Sequence, residues 1–282
     1  MTPDPSTDVQ LQTHVYTSAA RVIGGDPNRT FSPATSTLVT GESEAVLIDA
    51  QYTESEVSAL GDLIEQKGKR LTSIFITHGH YDHYYGLGQL VARFPGARPV
   101  ATASVVADIH ATLDFQAKRF QGFFGDASKA TVLPQPLEGT VMYVDGEELR
   151  VIEIGQGDIA PSTIVHIPSI DTVVAGDVVY NRIHMMLAFG GPPQWQAWLD
   201  SIDRIEALNA RTIVAGHKKP EASDDDLATI LDGSRGYIRD FRDAVAASST
   251  AGEVVETMDA KYKDYGNLTT LLFSARAAFP DA

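Results

Sequence analysis

Apolar residues along the chain form two repeating patterns, short continuous runs and stripes with helical spacing. The runs TSTLVTG, EAVLIDA, SIFIT and PVATA are rich in β-branched residues and predict buried strands, the first two joined by a turn. After Thr53, with Glu56 three residues on as in a capping box, the stripe Val57, Leu60 and Ile64 predicts an amphipathic helix. Strands that alternate with helices predict an α/β fold.

The second half of the chain continues both patterns. The segments TVMYV, EELRVIEIG, STIVHIP, TVVAGDVVY and RTIVAGH predict strands, and the spacing from Trp195 to Ile205 predicts a helix. A longer stripe from Leu227 to Phe241, with Ser223 as its expected cap, predicts another helix, and helical spacing continues to the C-terminus. The glycine- and aromatic-rich segment FQGFFGDASKA, which follows a helix predicted over Val105–Ala117, is expected to be a loop against the core, or else a lid or pocket wall.

Composition narrows the class of protein. The 282 residues are 43% apolar and lack a signal-type N-terminus or a long apolar run, so we expect a cytoplasmic protein without a membrane partner. We expect one domain over residues 1–282, with a core of about 11–220 and a helical extension over 221–282 that serves packing or a homo-oligomer. The net charge of −15 and the lack of a basic stripe exclude a nucleic-acid partner and favour a small-molecule substrate. Without cysteine, any metal ligand is His, Asp, Glu or an amide.

Candidate metal ligands follow the predicted strands. The strand SIFIT leads into HGHYDH, and three other apolar strands each end at one further Asp or His. Because sites in α/β sheets lie outside the carboxyl ends of strands, we expect these side chains to meet. The candidates are Asp49, His78, His80, Asp82, His83, Asp177 and His217.

The order His78-x-His80-x-Asp82-His83, then Gly176-Asp177, then Gly216-His217, resembles the metallo-β-lactamase superfamily of metallohydrolases over about residues 35–220. The resemblance implies a four-layer αββα sandwich of two mixed β-sheets flanked by helices, here with extra C-terminal helices. It assigns His78 and His80 to a first metal, Asp82, His83 and His217 to a second, and Asp177 to both. It implies that Asp49 supports one of the ligands and does not bind a metal itself.

One segment departs from the family pattern. An ungapped alignment of EIGQGDIAPSTIVHIPS places Gln156 where the family has the third histidine of the first metal, and Asp158 lies two residues further on. A glutamine carbonyl is a weaker ligand than imidazole, whereas a carboxylate binds well. We therefore expect a complete second site and a first site that is either weaker or reshaped through Asp158.

The resemblance implies hydrolysis. Histidine and carboxylate ligands suit one or two Zn²⁺ ions best, with iron or manganese less favoured, and zinc generates hydroxide near neutral pH to attack an ester, lactone, thioester or amide carbonyl. We expect Asp82 to be catalytic, both as a ligand and as a proton carrier. The alternatives are a mononuclear iron oxidoreductase of the sulfur-dioxygenase type and a non-catalytic binding protein on a decayed hydrolase fold.

Apolar residues near these motifs are candidates for a substrate pocket and favour a partly apolar substrate. The pocket candidates are Tyr84, Phe123, Phe124, His184 and Met185, with Met186 beside them. Lys218, which follows His217, is a further candidate for binding a substrate carboxylate.

Overall fold

The computed structural model describes residues 10–124 and 132–280, in which strands and helices alternate along the chain. The strands are β1 (Gln12–Thr17), β2 (Arg21–Ile23), β3 (Asp26–Phe31), β4 (Thr35–Thr40), β5 (Glu44–Ile48), β6 (Arg70–Phe75), β7 (Arg98–Ala101), β8 (Gln135–Pro136), β9 (Val141–Val144), β10 (Glu147–Gly155), β11 (Ser162–Ile167), β12 (Thr172–Val174), β13 (Tyr180–Asn181), β14 (Thr212–Val214) and β15 (His217–Lys218). The helices are α1 (Glu54–Lys67), α2 (Tyr81–Tyr84), α3 (Leu87–Arg93), α4 (Ala103–Phe124), α5 (Pro192–Glu206), α6 (Gly233–Ala247), α7 (Ala251–Lys261) and α8 (Leu268–Ala278).

Two mixed sheets form the centre of the fold. The first has the strand order β1-β4-β5-β6-β7-β8, antiparallel at β1-β4-β5 and parallel from β5 onward. The second has the order β14-β12-β11-β10-β9, and only its β12-β14 pair is parallel. Two short pairs, β2-β3 and β13-β15, lie outside these sheets.

Three apolar clusters correspond to the three interfaces of a four-layer sandwich. One cluster joins Val46 and Phe75 of the first sheet to Val151 and Val165 of the second, so the two sheets pack face to face. A second cluster packs α1, α3 and α4 on the outer face of the first sheet. A third packs α5 and the C-terminal helices α6, α7 and α8 on the outer face of the second sheet. The αββα sandwich with extra C-terminal helices is thereby confirmed.

Several element boundaries differ from the predictions. Helix α4 continues through Phe124, so the start of the predicted glycine-rich loop is helical, because Phe120 and Phe124 pack their rings on Phe31 and Tyr52. The rest of that segment, residues 125–130, lies outside the described residues. The predicted strand TVVAGDVVY is divided by a 3₁₀ turn, Gly176–Val178.

Two terminal regions also contain structure that the apolar pattern did not predict. Strands β1, β2 and β3 precede the first predicted strand. The predicted cap Ser223 lies before a turn and not at the helix, which opens with a π-helical segment, Ala228–Asp232, that continues into α6. Within the described ranges, no helix is long and apolar enough to cross a membrane.

Candidate metal centre

The ends of strands from both sheets deliver the predicted ligands to one place. His78 follows β6 and forms an isolated bridge with Ser162 at the start of β11, which ties the two sheets together at this point. Helix α2 begins after His80 and carries Asp82 and His83 in its single turn. The loop after β10, the 3₁₀ turn after β12 and the start of β15 supply the remaining candidates, which are Asp158, Asp177 and His217.

The first cluster consists of His78, His80, Asp158 and Asp177, all of them buried. His80 Nδ1 lies 2.8 Å from Asp158 Oδ2, and His78 Nε2 lies 3.9 Å from Asp158 Oδ1. His78 Nε2 is also 3.7 Å from Asp177 Oδ2. Two imidazoles and two carboxylates therefore point their ligand atoms at one small volume.

The second cluster consists of Asp82, His83 and His217, also buried. Asp82 Oδ2 lies 3.7 Å from His83 Nε2 and 3.5 Å from His217 Nε2. Asp177 lies between the clusters, with Oδ1 3.3 Å from His83 Nε2 and Oδ2 3.1 Å from His217 Nε2. Its carboxylate can therefore serve both clusters, as the resemblance implies.

Gln156 is not part of either cluster. Its amide Nε2 donates to the carbonyl of Gly157, and the side chain is only half-buried. Asp158, two residues further along the loop between β10 and β11, joins the first cluster. This geometry supports the reshaped first site and not the Gln156 alternative.

Hydrogen bonds outside the clusters orient three of the imidazoles. Asp49 accepts from His83 Nδ1 at 2.8 Å and from the backbone N–H of Thr77 at 2.9 Å. The Thr77 hydroxyl donates to Asp49 and is 3.0 Å from His78 Nδ1, while His217 Nδ1 donates to the carbonyl of Pro33 at 2.8 Å. Because each Nδ1 is engaged, each Nε2 is left as a lone-pair donor toward the site. Asp49 thus lies where a supporting residue would, and not in a ligand cluster.

Gly176 of the Gly-Asp motif and Gly216 of the Gly-His motif both lie where a Cβ atom would clash with a neighbouring side chain. A Cβ at Gly216 would lie 2.0 Å from Asp177 Oδ1, much closer than van der Waals contact allows. Gly176 adopts φ +50°, and a Cβ there would meet the Thr77 hydroxyl at 2.9 Å. These glycines let two strand ends approach closely enough to share one carboxylate.

Charge and burial compete at these side chains. Burial lowers the pKa of His217, but the carboxylates of Asp177 and Asp82 outweigh it and raise this pKa to about 9. Burial raises the pKa of Asp177, but the imidazoles of His217, His83 and His78 outweigh it and hold the pKa well below its usual range. For Asp158 burial prevails and raises the pKa. A cation bound here would replace the imidazolium protons, since a metal ligand must be deprotonated.

Buried polar atoms without a partner indicate that the clusters suit a metal. Among the described residues, His78 Nε2, His83 Nε2, Asp158 Oδ1 and Asp177 Oδ1 have no aligned hydrogen-bond partner. An unsatisfied buried polar atom is costly, and four of them converge on the same volume. Imidazole nitrogens and carboxylate oxygens are ligands of zinc, and also of iron and manganese. The residues present therefore fit one or two divalent ions.

A small cavity of about 40 Å³ opens directly onto the clusters, enough for a few water molecules. Its polar side includes Asp82, Asp158, Asp177 and the hydroxyl of Tyr180. Its apolar side comes from four parts of the chain and consists of Ile23, Phe31, Phe123, Met186 and Phe273. The cavity therefore gives a reacting group access to the two clusters.

The C-terminal extension contributes to this cavity, which corrects the expectation that it serves only packing or assembly. Asn267, Thr269, Thr270 and Phe273, at the start of α8, line the wall. Phe273 lies 5.9 Å from Phe123, ring centre to ring centre. Thr269 accepts a hydrogen bond from the backbone of Thr30. Helical spacing alone gave no signal for this role, because these residues have no distinctive chemistry.

Of the five predicted pocket residues, only Phe123 lines this cavity in the structure. Tyr84, the last residue of α2, is fully buried against Tyr81, and Phe124 packs on Tyr52 outside the cavity lining. Met185 is buried in the core behind the second sheet, while the adjacent Met186 faces the cavity. Neighbouring positions thus point in different directions, which sequence proximity to a motif cannot reveal.

Lys218 and His184 also have structural partners. Lys218 is 5% exposed and its Nζ lies 2.7 Å from Asp224, so it does not face the cavity. His184 is buried, with Nδ1 2.9 Å from the Tyr237 hydroxyl and its ring against Tyr265. Both side chains anchor the segments that follow the second sheet.

His184 should make the stability of the protein sensitive to acid. Burial lowers its pKa to about 4, and the attraction of Asp259 does not offset this. The unfolded chain, with an ordinary histidine pKa, binds a proton more readily, so His184's contribution is complete above pH 6.5 and falls as the pH drops toward 4. We expect a loss of roughly 3 kcal/mol in the free energy of unfolding over that range from this group.

Urea unfolding at pH 7 and pH 4.5 would measure this dependence. His184→Gln, which cannot titrate, should lose less stability between the two pH values than the wild type. His110→Gln, at an exposed histidine of α4, is the matched control and should behave like the wild type. Equal acid sensitivity of all three proteins would show that His184 does not contribute it.

The chain is similar in sequence to a known family and to one characterised relative. The sequence model of the metallo-beta-lactamase superfamily matches residues 29–217 of this chain. A hydroxyacylglutathione hydrolase of Synechococcus sp. (strain JA-3-3Ab) is 32% identical over 100 residues, which are 35% of this chain. The alignment spans only 38% of that relative's length.

Two solved structures have a similar fold. A metallo-beta-lactamase family protein from Thermus thermophilus superposes with a TM-score of 0.61 at 20% identity, over 93% of each chain. A metallo-beta-lactamase from Pontibacter korlensis superposes with a TM-score of 0.55 at 19% identity, over 82% of this chain and 99% of the other. At such low identity the likeness is one of fold alone.

Proposed function

Because this chain belongs to the metallo-β-lactamase superfamily, whose profile covers residues 29–217, we propose that it is a zinc-dependent hydrolase of a small ester, thioester, lactone or amide. At the coarser level, superfamily membership and the hydroxyacylglutathione hydrolase relative support a metal-dependent hydrolase. The observation that carries the proposal is the pair of buried His/Asp clusters that share Asp177 at the base of one cavity.

The metal would supply Lewis acidity toward a carbonyl and would lower the pKa of water to about 7. His78, His80, Asp158 and Asp177 would hold one ion, and Asp82, His83, His217 and Asp177 the other. Asp49 keeps His83 in the correct tautomer by accepting its Nδ1–H. The remaining chemistry belongs to side chains that border the cavity.

Asp82 is the side chain best placed to move a proton. It belongs to the second cluster, faces the cavity and is 5% exposed, so its carboxylate can reach both a ligand position and a reacting group. We assign to it the orientation of the attacking water and the delivery of a proton to the leaving group. Tyr180 donates its hydroxyl proton to Asp177 Oδ2 at 3.1 Å, which fixes the orientation of the shared carboxylate.

The shape of the cavity favours a small substrate with an apolar part. Phe31, Phe123 and Phe273 form a wall of rings opposite the clusters, with centroid distances of 5.8 and 5.9 Å along the row. Such a wall excludes bulk water from the reacting group and packs on an acyl chain. The relative's name adds a reason to test thioesters first.

Hydrolysis of a small panel tests the proposal. The zinc-reconstituted protein should cleave at least one of p-nitrophenyl acetate, S-acetyl-N-acetylcysteamine and γ-butyrolactone, lose this activity when the metal is chelated, and regain it with zinc. Hydrolysis that is indifferent to chelation, or none with any substrate, would refute the proposal. Oxygen uptake restored only by iron would favour the oxidoreductase alternative.

A further inference from the structure

Arg119 is a cationic side chain at the border of the cavity that the sequence did not indicate. It lies on α4, and its side chain lines the cavity together with Asp82, Asp158 and Tyr180. Its signal in the sequence is only a basic residue one position before Phe120, inside an ordinary helical stripe. The course of α4 brings Arg119 to the border of the cavity, which the sequence pattern does not show.

Two aromatic rings hold the guanidinium of Arg119. Its Cζ lies 4.8 Å from the ring centre of Phe189 and 5.4 Å from that of Phe123. The ring of Phe189 also lies 5.0 Å from the ring of His80. A single phenyl ring therefore separates the guanidinium from a candidate metal ligand, and cation–π contacts keep the charge in place without neutralising it.

The donors of Arg119 have no acceptor among the described residues. No hydrogen bond or ion pair of this side chain occurs within residues 10–124 and 132–280, although other arginines in those ranges, such as Arg93 and Arg235, bind two or more carboxylates. Burial lowers the pKa of Arg119 more than Asp82 and Asp158 raise it, but a guanidinium stays protonated at neutral pH. Because a partly buried charge is costly unless it is paired, this cation is well suited to bind an anion.

The charge around the cavity also favours an anionic ligand. Two divalent ions would balance the carboxylates of Asp49, Asp82, Asp158 and Asp177, so Arg119 adds a positive charge that a bound hydroxide or a ligand carboxylate would neutralise. The chain as a whole carries a net charge of −15 and repels anions elsewhere. A local positive site on an acidic protein gives selectivity for ligands that can reach it.

We propose that Arg119 binds a carboxylate of the substrate, close to the bond that is hydrolysed. This inference rests on the proposed function and specifies its substrate class: a small ester, thioester, lactone or amide that also carries a free carboxylate. The guanidinium lies within 5.4 Å of two ring centres, and its planar fork of N–H groups can pair with a planar carboxylate through two hydrogen bonds.

Binding of succinate and butyrate to the zinc-loaded protein, measured by calorimetry, tests the proposal without any need for turnover. Butyrate offers one carboxylate to the metals, and succinate offers a second one to Arg119. We expect succinate to bind about 10- to 100-fold more tightly than butyrate, as two charge-assisted hydrogen bonds would give. Arg119→Met should abolish the difference and leave butyrate binding unchanged, which also shows that the variant is folded.

Two further variants and one further ligand complete the experiment. Lys118→Met removes the same charge from the adjacent exposed position and should keep the wild-type preference. Arg119→Lys should keep part of it, because the charge remains and the planar fork is lost. Equal affinity for the two ligands in the wild type, no binding of either, a preference that survives Arg119→Met, or tighter Arg119-dependent binding of 3-phosphonopropionate would overturn the proposal.

The outcome for Arg119 is separable from that of the proposed function. A succinate preference that depends on Arg119, in a protein that hydrolyses none of the panel, would leave the anion site and remove the hydrolase. Hydrolysis of ethyl levulinate and of monoethyl succinate at equal efficiency in the wild type would leave the hydrolase and remove the anion site. If both proposals hold, Arg119→Met should lower kcat/KM about 10- to 100-fold for monoethyl succinate only.

Discussion

Replacement of Asp82 by Asn is expected to lower kcat by about 100- to 10,000-fold, the usual contribution of a positioned proton carrier. The amide is isosteric with the carboxylate but carries no negative charge and accepts no proton. Because Asp82 lies 3.5 Å from His217 and 3.7 Å from His83, the substitution should also weaken the second metal. Stopped-flow or steady-state turnover of the preferred panel substrate, at saturating zinc, measures the effect.

The matched control for this substitution is Asp108→Asn. Burial raises the pKa of Asp108 and the nearby His80 lowers it, but Asp108 belongs to neither cluster. The control should keep kcat within about threefold of the wild type, as expected for a residue outside the reacting groups. If the two variants turn over equally fast, or if Asp82→Asn is as active as the wild type, Asp82 has no catalytic role.

Replacement of Asp158 by Ala is expected to reduce the zinc content from about two ions per chain to about one, and activity with it, because the first cluster loses a ligand. His78 and His80 would remain, but two imidazoles and the shared Asp177 leave one position to water. Elemental analysis after gel filtration gives the metal content, and chelator competition gives the affinity of the ion that remains.

Gln156→Ala is the control that separates the two alternatives for the first site. Gln156 bonds only to the neighbouring Gly157 carbonyl among the described residues, so its loss should change neither metal content nor activity. The reverse pattern, with a normal zinc content in Asp158→Ala and a reduced one in Gln156→Ala, would restore the ungapped alignment and contradict the structure.

The architecture could be predicted from sequence because it depends on local patterns. Apolar strands, helical stripes and the spacing within HGHYDH each extend over a few residues, and the order of motifs from His78 to His217 indicates the family. The convergence of Asp49, Asp177 and His217 was predictable as well, because each lies within three residues of the end of an apolar strand, and strand ends of an α/β fold meet at one edge.

The remainder depends on contacts between distant segments. The entry of Asp158 into the first cluster depends on the course of the loop between β10 and β11, which the residue types of Gln156 and Asp158 do not determine. The cavity wall combines β2, β3, α4 and α8, and a rotation of about 100° per residue along a helix separates Phe123, which lines the cavity, from Phe124, which does not. The same rotation along α4 decides whether the side chain of Arg119 reaches the cavity.

Anomalous diffraction at the zinc edge from crystals of the zinc-loaded protein would show how many ions bind and which side chains hold them. We predict two peaks that share Asp177, one at about 2.0–2.2 Å from ligand atoms of His78, His80 and Asp158, and one at the same distances from Asp82, His83 and His217. The absence of any peak at these clusters, or a first peak bound by Gln156 with Asp158 turned away, would refute a metal centre built from these two clusters.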